Sequence, residues 1–397
     1  MASILILGQQ GIPLAFLLTT QGHLVKVYEK ELTHTLEGYR NPTRIDDPFA
    51  SVEQYDLIIN CNPYYAYLCE DLKDRRPLIG GSSYHSRMET DPAYANKLIK
   101  LSSNIQLQAS TVITDLPTLH TALAQATPKC LEHSAPSFYF KSTTSDNALL
   151  RQLVKVKGND LLPCTISDNL LEHHLLATGW FNGKEWLGPF LYTLNEYSWF
   201  VLDDKLIQAT FYQLSAFLEK ASYHGPLTLD VACTKEVIFF ARCLTSLAHP
   251  LHLAFAELIR TPLFDFYYAL ANGTTPSLEE WYTGKAVSAP LKLTSEQHWI
   301  WWDGITLLDI PEPARPHVLL RNTMKRGGKA ECFSYNNDSL VGWITSRGTS
   351  LRECNRRVMR TFNNITLDPA LFTLGTTEEA KVMEVKYQLE EWGWINA

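Results

Sequence analysis

Short apolar runs alternating with helical spacing organise the first ninety residues. Ser3–Leu7 (SILIL) reads as a strand covered on both faces. GQQG turns the chain, Ile12–Thr20 reads as a helix, and Gly22 stands near its C-terminal stop. Leu24–Tyr28 (LVKVY) and 56–59 (DLII) are further strands. Leu78–Ile79 runs into GGSS, and 91–101 is helical in pattern. Strands alternating with helices predict a parallel sheet with right-handed crossovers.

The pattern changes after residue 103. FYFK (138–141) is strand-like. The runs 175–180 and 185–192 flank FNGK, whose Asn-Gly pair predicts a tight hairpin. An amphipathic helix is expected over 207–222, and a strand pair, 227–231 with 237–241, across CTKE. A long unbroken helix is expected over 251–272, stopped by Gly273. Beyond 289 the chain returns to strands broken by RGG, NND and RGT turns, then to a helix over 350–363. Neither a repeat nor a low-complexity tract is visible.

Composition narrows the function classes. The chain has 397 residues, 45% hydrophobic and 19% charged, which fits two or three packed domains and rules out a mostly disordered chain. Lys+Arg is 35 against 42 Asp+Glu, a net charge of −7. Such a chain is not a general nucleic-acid binder, although a local basic groove stays open. The apolar runs fall short of the roughly 18 residues needed to span a bilayer. The N-terminus lacks the basic segment of a secretory leader. The eight cysteines are scattered, with no CxxC pair, as in a reducing compartment, so the expected location is cytoplasmic. Cys and His do not cluster at zinc-ligand spacing. His173 and His174 are adjacent, point in different directions, and read as ordinary surface histidines.

Several stretches carry candidate chemistry. Gly8 and Gly11 sit between a strand and a helix, and Glu29 ends the next strand, 21 positions after Gly8. That spacing suits a phosphate at the helix N-terminus, a dinucleotide site lacking the full GxGxxG, or a plain tight turn. Gly80, Gly81 and Ser82 form a second small-residue loop, either an anion cradle or a helix cap with Glu89 nearby. Lys141 closes an apolar strand, as a phosphate-pairing lysine or a snorkelling surface one. Glu172, Glu185, Glu196, Asp203, Asp204, Asp230 and Glu236 are the carboxylates from which a magnesium site would be drawn. The aromatic set from Trp180 to Phe200 suits sheet packing better than base stacking.

In order along the chain, ILILGQQG with GHLVKVYEK, YDLIINCNPYY, LIGGSSYHSRMETDPAYANKLIK, TGWFNGKEWLGPF, YHGPLTLDV, AELIRTPLFDFYYALANG and VGWITSRGTSLRECNRRVMRTFNNI resemble the ATP-grasp ligases. Within them the set is most similar to the phosphoribosylamine–glycine ligase branch of purine biosynthesis, in a divergent, phage-type form. The resemblance spans nearly the whole chain, through loose motifs in a specific order. It implies an α/β and α+β fold. A Rossmann-like pre-ATP-grasp domain would cover 1–103, an ATP-grasp domain of two subdomains 104–289, and a small β-rich module 290–397. It further implies ATP and magnesium as cofactors, with carboxylate and amine substrates joined through an acylphosphate. Lys141 and Glu172 would then hold ATP, and Gly8, Gly11, Gly80, Gly81 and Ser82 the substrate. Arg242 would be catalytic, with Glu196 and Asp230 as metal ligands. One departure is pointed. Where the family reads roughly Glu-Phe-Asn-x-Arg, this chain reads VIFFAR (237–242), so the metal-binding Glu and Asn positions carry apolar side chains. The alternative implied is a catalytically degenerate protein that binds a nucleotide or a protein assembly partner.

Overall fold

The computed structural model describes residues 1–30, 35–103, 105–107, 110–125, 129–134, 137–141, 147–168, 174–247, 250–276, 281–293, 305–307, 310–327, 329–332, 340–365, 372–375 and 378–396. The chain opens with β1 (Ser3–Leu7), α1 (Ile12–Thr20), β2 (Leu24–Tyr28), β3 (Thr43–Ile45), β4 (Leu57–Asn60), α2 (Ala66–Leu72) and β5 (Leu78–Ile79). These strands form the expected parallel sheet, in the order β3-β2-β1-β4-β5. Leu5, Leu7 and Ile58 pack on α2, while Ile4, Ile6 and Ile59 pack on α1, as both-face burial of an apolar strand requires. Helices α3 (Ser83–Thr90) and α4 (Pro92–Ser102) follow, the latter capped by the Asp91 side chain.

After β6 (Gln106–Leu107), a second unit contains β7 (Ser110–Ile113), α5 (Leu116–Leu123), β8 (Lys129–Ser134), β9 (Ser137–Lys141), α6 (Ala148–Lys157) and β10 (Cys164–Asp168). Its four-stranded sheet runs β7-β10-β8-β9 and closes its own core around Leu119, Leu131, Leu150 and Ile166.

The largest layer is a ten-stranded sheet, β18-β21-β16-β13-β12-β11-β14-β15-β6, with β22 added on β16. Its members are β11 (His174–Asn182), β12 (Trp186–Leu194), β13 (Tyr197–Val201), β14 (His224–Cys233), β15 (Ile238–Leu244), β16 (Lys285–Leu293), β18 (Val318–Leu320), β21 (Leu340–Gly348) and β22 (Phe372–Leu374). A three-stranded ribbon, β17 (Ile305–Leu307), β19 (Thr323–Arg326) and β20 (Lys329–Cys332), stands beside it. The Asn-Gly hairpin forms between β11 and β12, with Gly183 in the left-handed region at φ +92°. Strand β16 crosses residue 289 and pairs with β13 on one side and β21 on the other, so one sheet continues past that point.

Side-chain alternation gives this sheet two unlike faces. One face, including Leu175, Leu229, Val231, Phe240 and Val287, meets α4, α8 (Phe211–Lys220), α11 (Leu351–Asn364) and α12 (Glu379–Glu391) in the main core. The other face is covered in part by α9 (Leu251–Leu258) and α10 (Leu263–Ala271), which pack Phe255 and Phe266 on Trp180. Beyond them that second face also carries polar side chains, among them Thr178, Asp230 and Arg242.

Two expected helices divide. The stretch 251–272 breaks at Ile259–Pro262, because Pro262 lacks an N–H and forces its predecessor out of the helical region. Ile259 instead bridges to Trp281. The stretch 207–222 divides at Thr210 into α7 (Lys205–Ala209) and α8, and the Asp204 carboxylate accepts from the Ile207 N–H to cap α7. Among the described residues no helix is long and apolar enough to cross a membrane.

His252, fully buried on α9 beside Trp180, is held neutral, its pKa pushed down by burial to about 3. The unfolded chain binds this proton below about 6.5, whereas the folded chain does not until near pH 3. Stability therefore falls as the pH drops between those values, by at most about 1.4 kcal/mol per pH unit. Replacing His252 by Phe is expected to flatten the acid limb of the stability curve. Urea denaturation at pH 7 and pH 4.5 measures this, as a difference between variant and parent that widens by about 2 kcal/mol at the lower pH.

Candidate functional site

The glycine loops meet at the C-terminal edge of the parallel sheet, where ligands of open α/β sheets bind. Strand β4 lies between β1 and β5 and ends in Asn60-Cys61-Asn62, which spaces the two loops. Gly8 has φ +108°, and a Cβ there would lie 2.5 Å from the Cβ of Asn62. Gly11 is needed for space: a Cβ would meet Ile6 Cγ2 at 2.4 Å and Cys61 Sγ at 2.7 Å. Gly80 packs on Asn60 in the same way, and the Gly81 carbonyl accepts from Ser86 Oγ at 3.3 Å.

Several amides of these loops are bonded within the chain. The Gln9 N–H donates to Glu29 Oε2 at 2.8 Å, and the Tyr65 hydroxyl donates to the other Glu29 oxygen. The Gly80 N–H donates to the His224 carbonyl at 3.2 Å. At the start of α3 the Ser83 N–H donates to Glu70 Oε1 at 2.9 Å, while Ser82 Oγ bonds His85 Nδ1 at 2.9 Å. Burial would raise the Glu70 carboxyl, but the Lys73 ammonium and the Ser83 N–H outweigh it and hold it below its usual value. A carboxylate of the chain thus stands beside each loop, Glu29 at Gln9 and Glu70 at Ser83. The cap of α3 is Glu70 and not Glu89, whose carboxylate accepts from the backbone and hydroxyls of Thr245 and Ser246 and ties α3 to the end of β15. Glu29, a candidate by its spacing from Gly8, closes the first loop instead of facing a ligand. Glu70, Asn60 and Asn62 carried no such signal in the sequence.

The second cluster lies on the polar face of the ten-stranded sheet. Asp230 on β14 is paired in register with Arg242 on β15. Arg242 Nε donates to Asp230 Oδ2 at 3.3 Å, and His174 Nδ1 lies 3.0 Å from Asp230 Oδ1. The side chains of Asp230, His174 and Arg242 are 7%, 12% and 21% exposed, so the acid is enclosed and the arginine reaches the surface. His174 is therefore no surface histidine. Its place beside Asp230 comes from the β11–β14 register, with Leu176 opposite Asp230. Neighbouring Thr178 and Thr228 bond each other through their hydroxyls at 2.8 Å.

Strand β15 carries a register shift: Asp230 pairs with Arg242, but Val231 pairs with Phe240. The shift places Phe240 and Ile238 in the main core, leaving Phe239 and Arg242 on the polar face. Glu196 occupies the β12–β13 turn, where its carbonyl accepts from the Ser288 N–H at 3.0 Å. Strand β11 lies between β14, which carries Asp230, and β12, which leads into the Glu196 turn, so the two acids are not on neighbouring strands. Lys141 ends β9 in the four-stranded sheet, opposite Cys130. Glu172 and His173 lie outside the described residues.

No family model and no curated protein matches this sequence. Solved structures do match, over nearly the whole chain. Phosphoribosylamine–glycine ligase from Thermotoga maritima superposes with a TM-score of 0.69 at 14% identity, covering 93% of this chain and 98% of that one. The biotin carboxylase domain of Hydrogenobacter thermophilus 2-oxoglutarate carboxylase, solved with MgADP, ADP and bicarbonate, gives 0.60 at 12% identity over 98% and 97%. N5-carboxyaminoimidazole ribonucleotide synthetase from Thermotoga maritima gives 0.59 at 15% identity over 95% and 100%.

The chain has the ATP-grasp fold. One of these neighbours is solved with MgADP. Among the described residues no group of three or more His, Cys, Asp or Glu is placed to hold a metal ion. Asp230 is engaged by a guanidinium and an imidazole, and a cation beside Arg242 would be repelled.

Two outcomes test the geometry. Gly11→Ala is expected to destabilise the fold by about 1–3 kcal/mol through overpacking against Ile6 and Cys61, read by urea denaturation. A double-mutant cycle on Asp230→Asn and Arg242→Gln is expected to give a coupling of about 1–3 kcal/mol. Additive single effects would mean that the pair is an incidental contact.

Proposed function

We propose that this chain is a catalytically degenerate ATP-grasp protein that acts by binding an adenine nucleotide and not by transferring its phosphoryl group. The observation that carries this reading is the makeup of β15. Its polar-face positions are Phe239 and Arg242, and the one acid opposite them, Asp230, is already in an ion pair. Nucleotide binding rests on the fold, since a solved neighbour holds MgADP and ADP, and on Arg242 as the cation of the polar face. Lys141 is the second candidate phosphate contact, Glu172 a candidate for the ribose or base, and the loops around Gly8, Gly11, Gly80, Gly81 and Ser82 structural turns closed by Glu29 and Glu70.

The second reading is an ATP-dependent carboxylate–amine ligase. It is favoured by the end-to-end match to a phosphoribosylamine–glycine ligase chain. In that case Glu196 or residues outside the described set would have to supply the metal-binding acids, with Arg242 holding the substrate anion.

Thermal melts with ATP, with and without magnesium, separate the two when combined with an assay for ADP formation in the presence of carboxylate and amine substrates. The expected result is a rise in Tm that does not depend on magnesium, reaching about 2.7 kcal/mol of stabilisation at a hundredfold excess over Kd, with no ADP formed. Magnesium-dependent ADP formation stimulated by a carboxylate and an amine would establish the ligase. No shift with ATP under either condition would remove the nucleotide from the proposal.

A further inference from the structure

Charge is unevenly spread along the chain. Residues 310–365 hold ten Lys and Arg against four Asp and Glu, a charge of +6, so the rest of a chain of net −7 carries −13. A basic stretch in an acidic chain points to a polyanionic partner. Four of the ten lie on α11, as Arg352, Arg356, Arg357 and Arg360. The fold itself uses one of them. Arg357 pairs with Glu353 at 2.7 Å and donates to the Arg347 carbonyl at 2.8 Å, which ties the helix to the end of β21.

Arg352, Arg356 and Arg360 are exposed, and none makes an ion pair or hydrogen bond with a described residue. At four-residue spacing they follow one line, about 6 Å apart along the helix axis and about 12 Å end to end. With Met359 and Asn363 they fill an exposed stripe about 100° wide. The opposite face, with Leu351, Cys354 and Val358, is buried in the main core. The row is costly to the helix. Like charges four residues apart repel, and Arg352 stands in the first turn, where the positive end of the helix dipole disfavours a cation. A bound anion relieves both penalties.

The side chains select the form of that anion. Each guanidinium presents a planar fork that matches the two free oxygens of a phosphodiester. A protein partner needs an apolar anchor, and the stripe offers only Met359, 39% exposed. A lipid surface needs an apolar helix face to embed, and that of α11 is in the core. We propose that the exposed face of α11 is a docking surface for the sugar–phosphate backbone of a nucleic acid, held by Arg352, Arg356 and Arg360 without reading its sequence. The acidic remainder of the chain repels the same polyanion and confines the contact to this helix. α11 covers the core face of the large sheet and Arg242 lies on the opposite face, so the inference does not depend on nucleotide binding.

Fluorescence anisotropy on the full chain tests it, with a labelled single strand of about 20 nucleotides and the matching duplex as probes, against the variant R352Q/R356Q/R360Q. The expected Kd for at least one probe is about 10⁻⁶ to 10⁻⁴ M, with a slope of about −2 to −3 in log affinity against log salt for three phosphate contacts. In the variant the slope shrinks toward zero and affinity falls at least about tenfold. Removing a row of like charges should keep or raise the parent's Tm, which separates lost binding from lost folding. R75Q/R76Q, which removes two arginines paired with Glu53, is the charge control and should leave the slope unchanged. No binding of either probe at about 50 mM KCl, an unchanged slope in the triple variant, or an equal loss in the control would each overturn the assignment. So would tighter binding to a poly-glutamate peptide or to phosphatidylserine vesicles than to both oligonucleotides.

Discussion

The ten-stranded sheet has one face committed to the core, so everything polar that its strands carry must leave by the other. That constraint arranges the rest of the molecule. Leu229, Val231, Phe240 and Val287 enter the core, while Thr228, Asp230, Arg242, Thr193, Ser198 and Ser288 collect opposite them. The single shift in the β14–β15 register decides which side chains of VIFFAR meet Asp230. Without it Arg242 would face the core, and burying an unpaired guanidinium there would be prohibitive.

The ion pair that results explains a contrast within the fold. A site that gathers phosphates and magnesium needs acids free to hold a cation and bases free to hold an anion. Here the acid and the base are partners, and the enclosed carboxylate is satisfied on both oxygens by Arg242 and His174. The parallel sheet follows the same logic. Its glycine loops keep the close backbone approaches of a ligand cradle, but the amides of Gln9 and Ser83 bind Glu29 and Glu70. In both places an internal charge stands where the scaffold favours an external one. Such substitution leaves the architecture intact, because a carboxylate of the chain satisfies a helix terminus as well as a bound anion does.

Polarity is retained where it is not needed for folding. Thr193 and Ser198 satisfy each other, and Thr178 and Thr228 do likewise, so these hydroxyls are neutral additions to the sheet. Ser288 Oγ stays buried there without a partner, as do His174 Nε2 and Trp180 Nε1 on the same face.

Much of the architecture was legible along the chain. SILIL, LVKVY and DLII dictated a parallel sheet buried on both faces, FNGK a hairpin, and Ser350 the start of α11, since each depends on neighbours within a few residues. Pro262 was visible as well, yet the apolar spacing around it masked the break it imposes. What no local pattern contained was which distant residues would meet. Asp230 and Arg242 face each other only through a register shift, His174 reaches them only through β11, and Glu29 and Glu70 close loops formed elsewhere in sequence. Hydrophobic periodicity specifies the face a side chain takes. Pairing between strands far apart in sequence specifies its partner, and that was decided only when the whole sheet assembled.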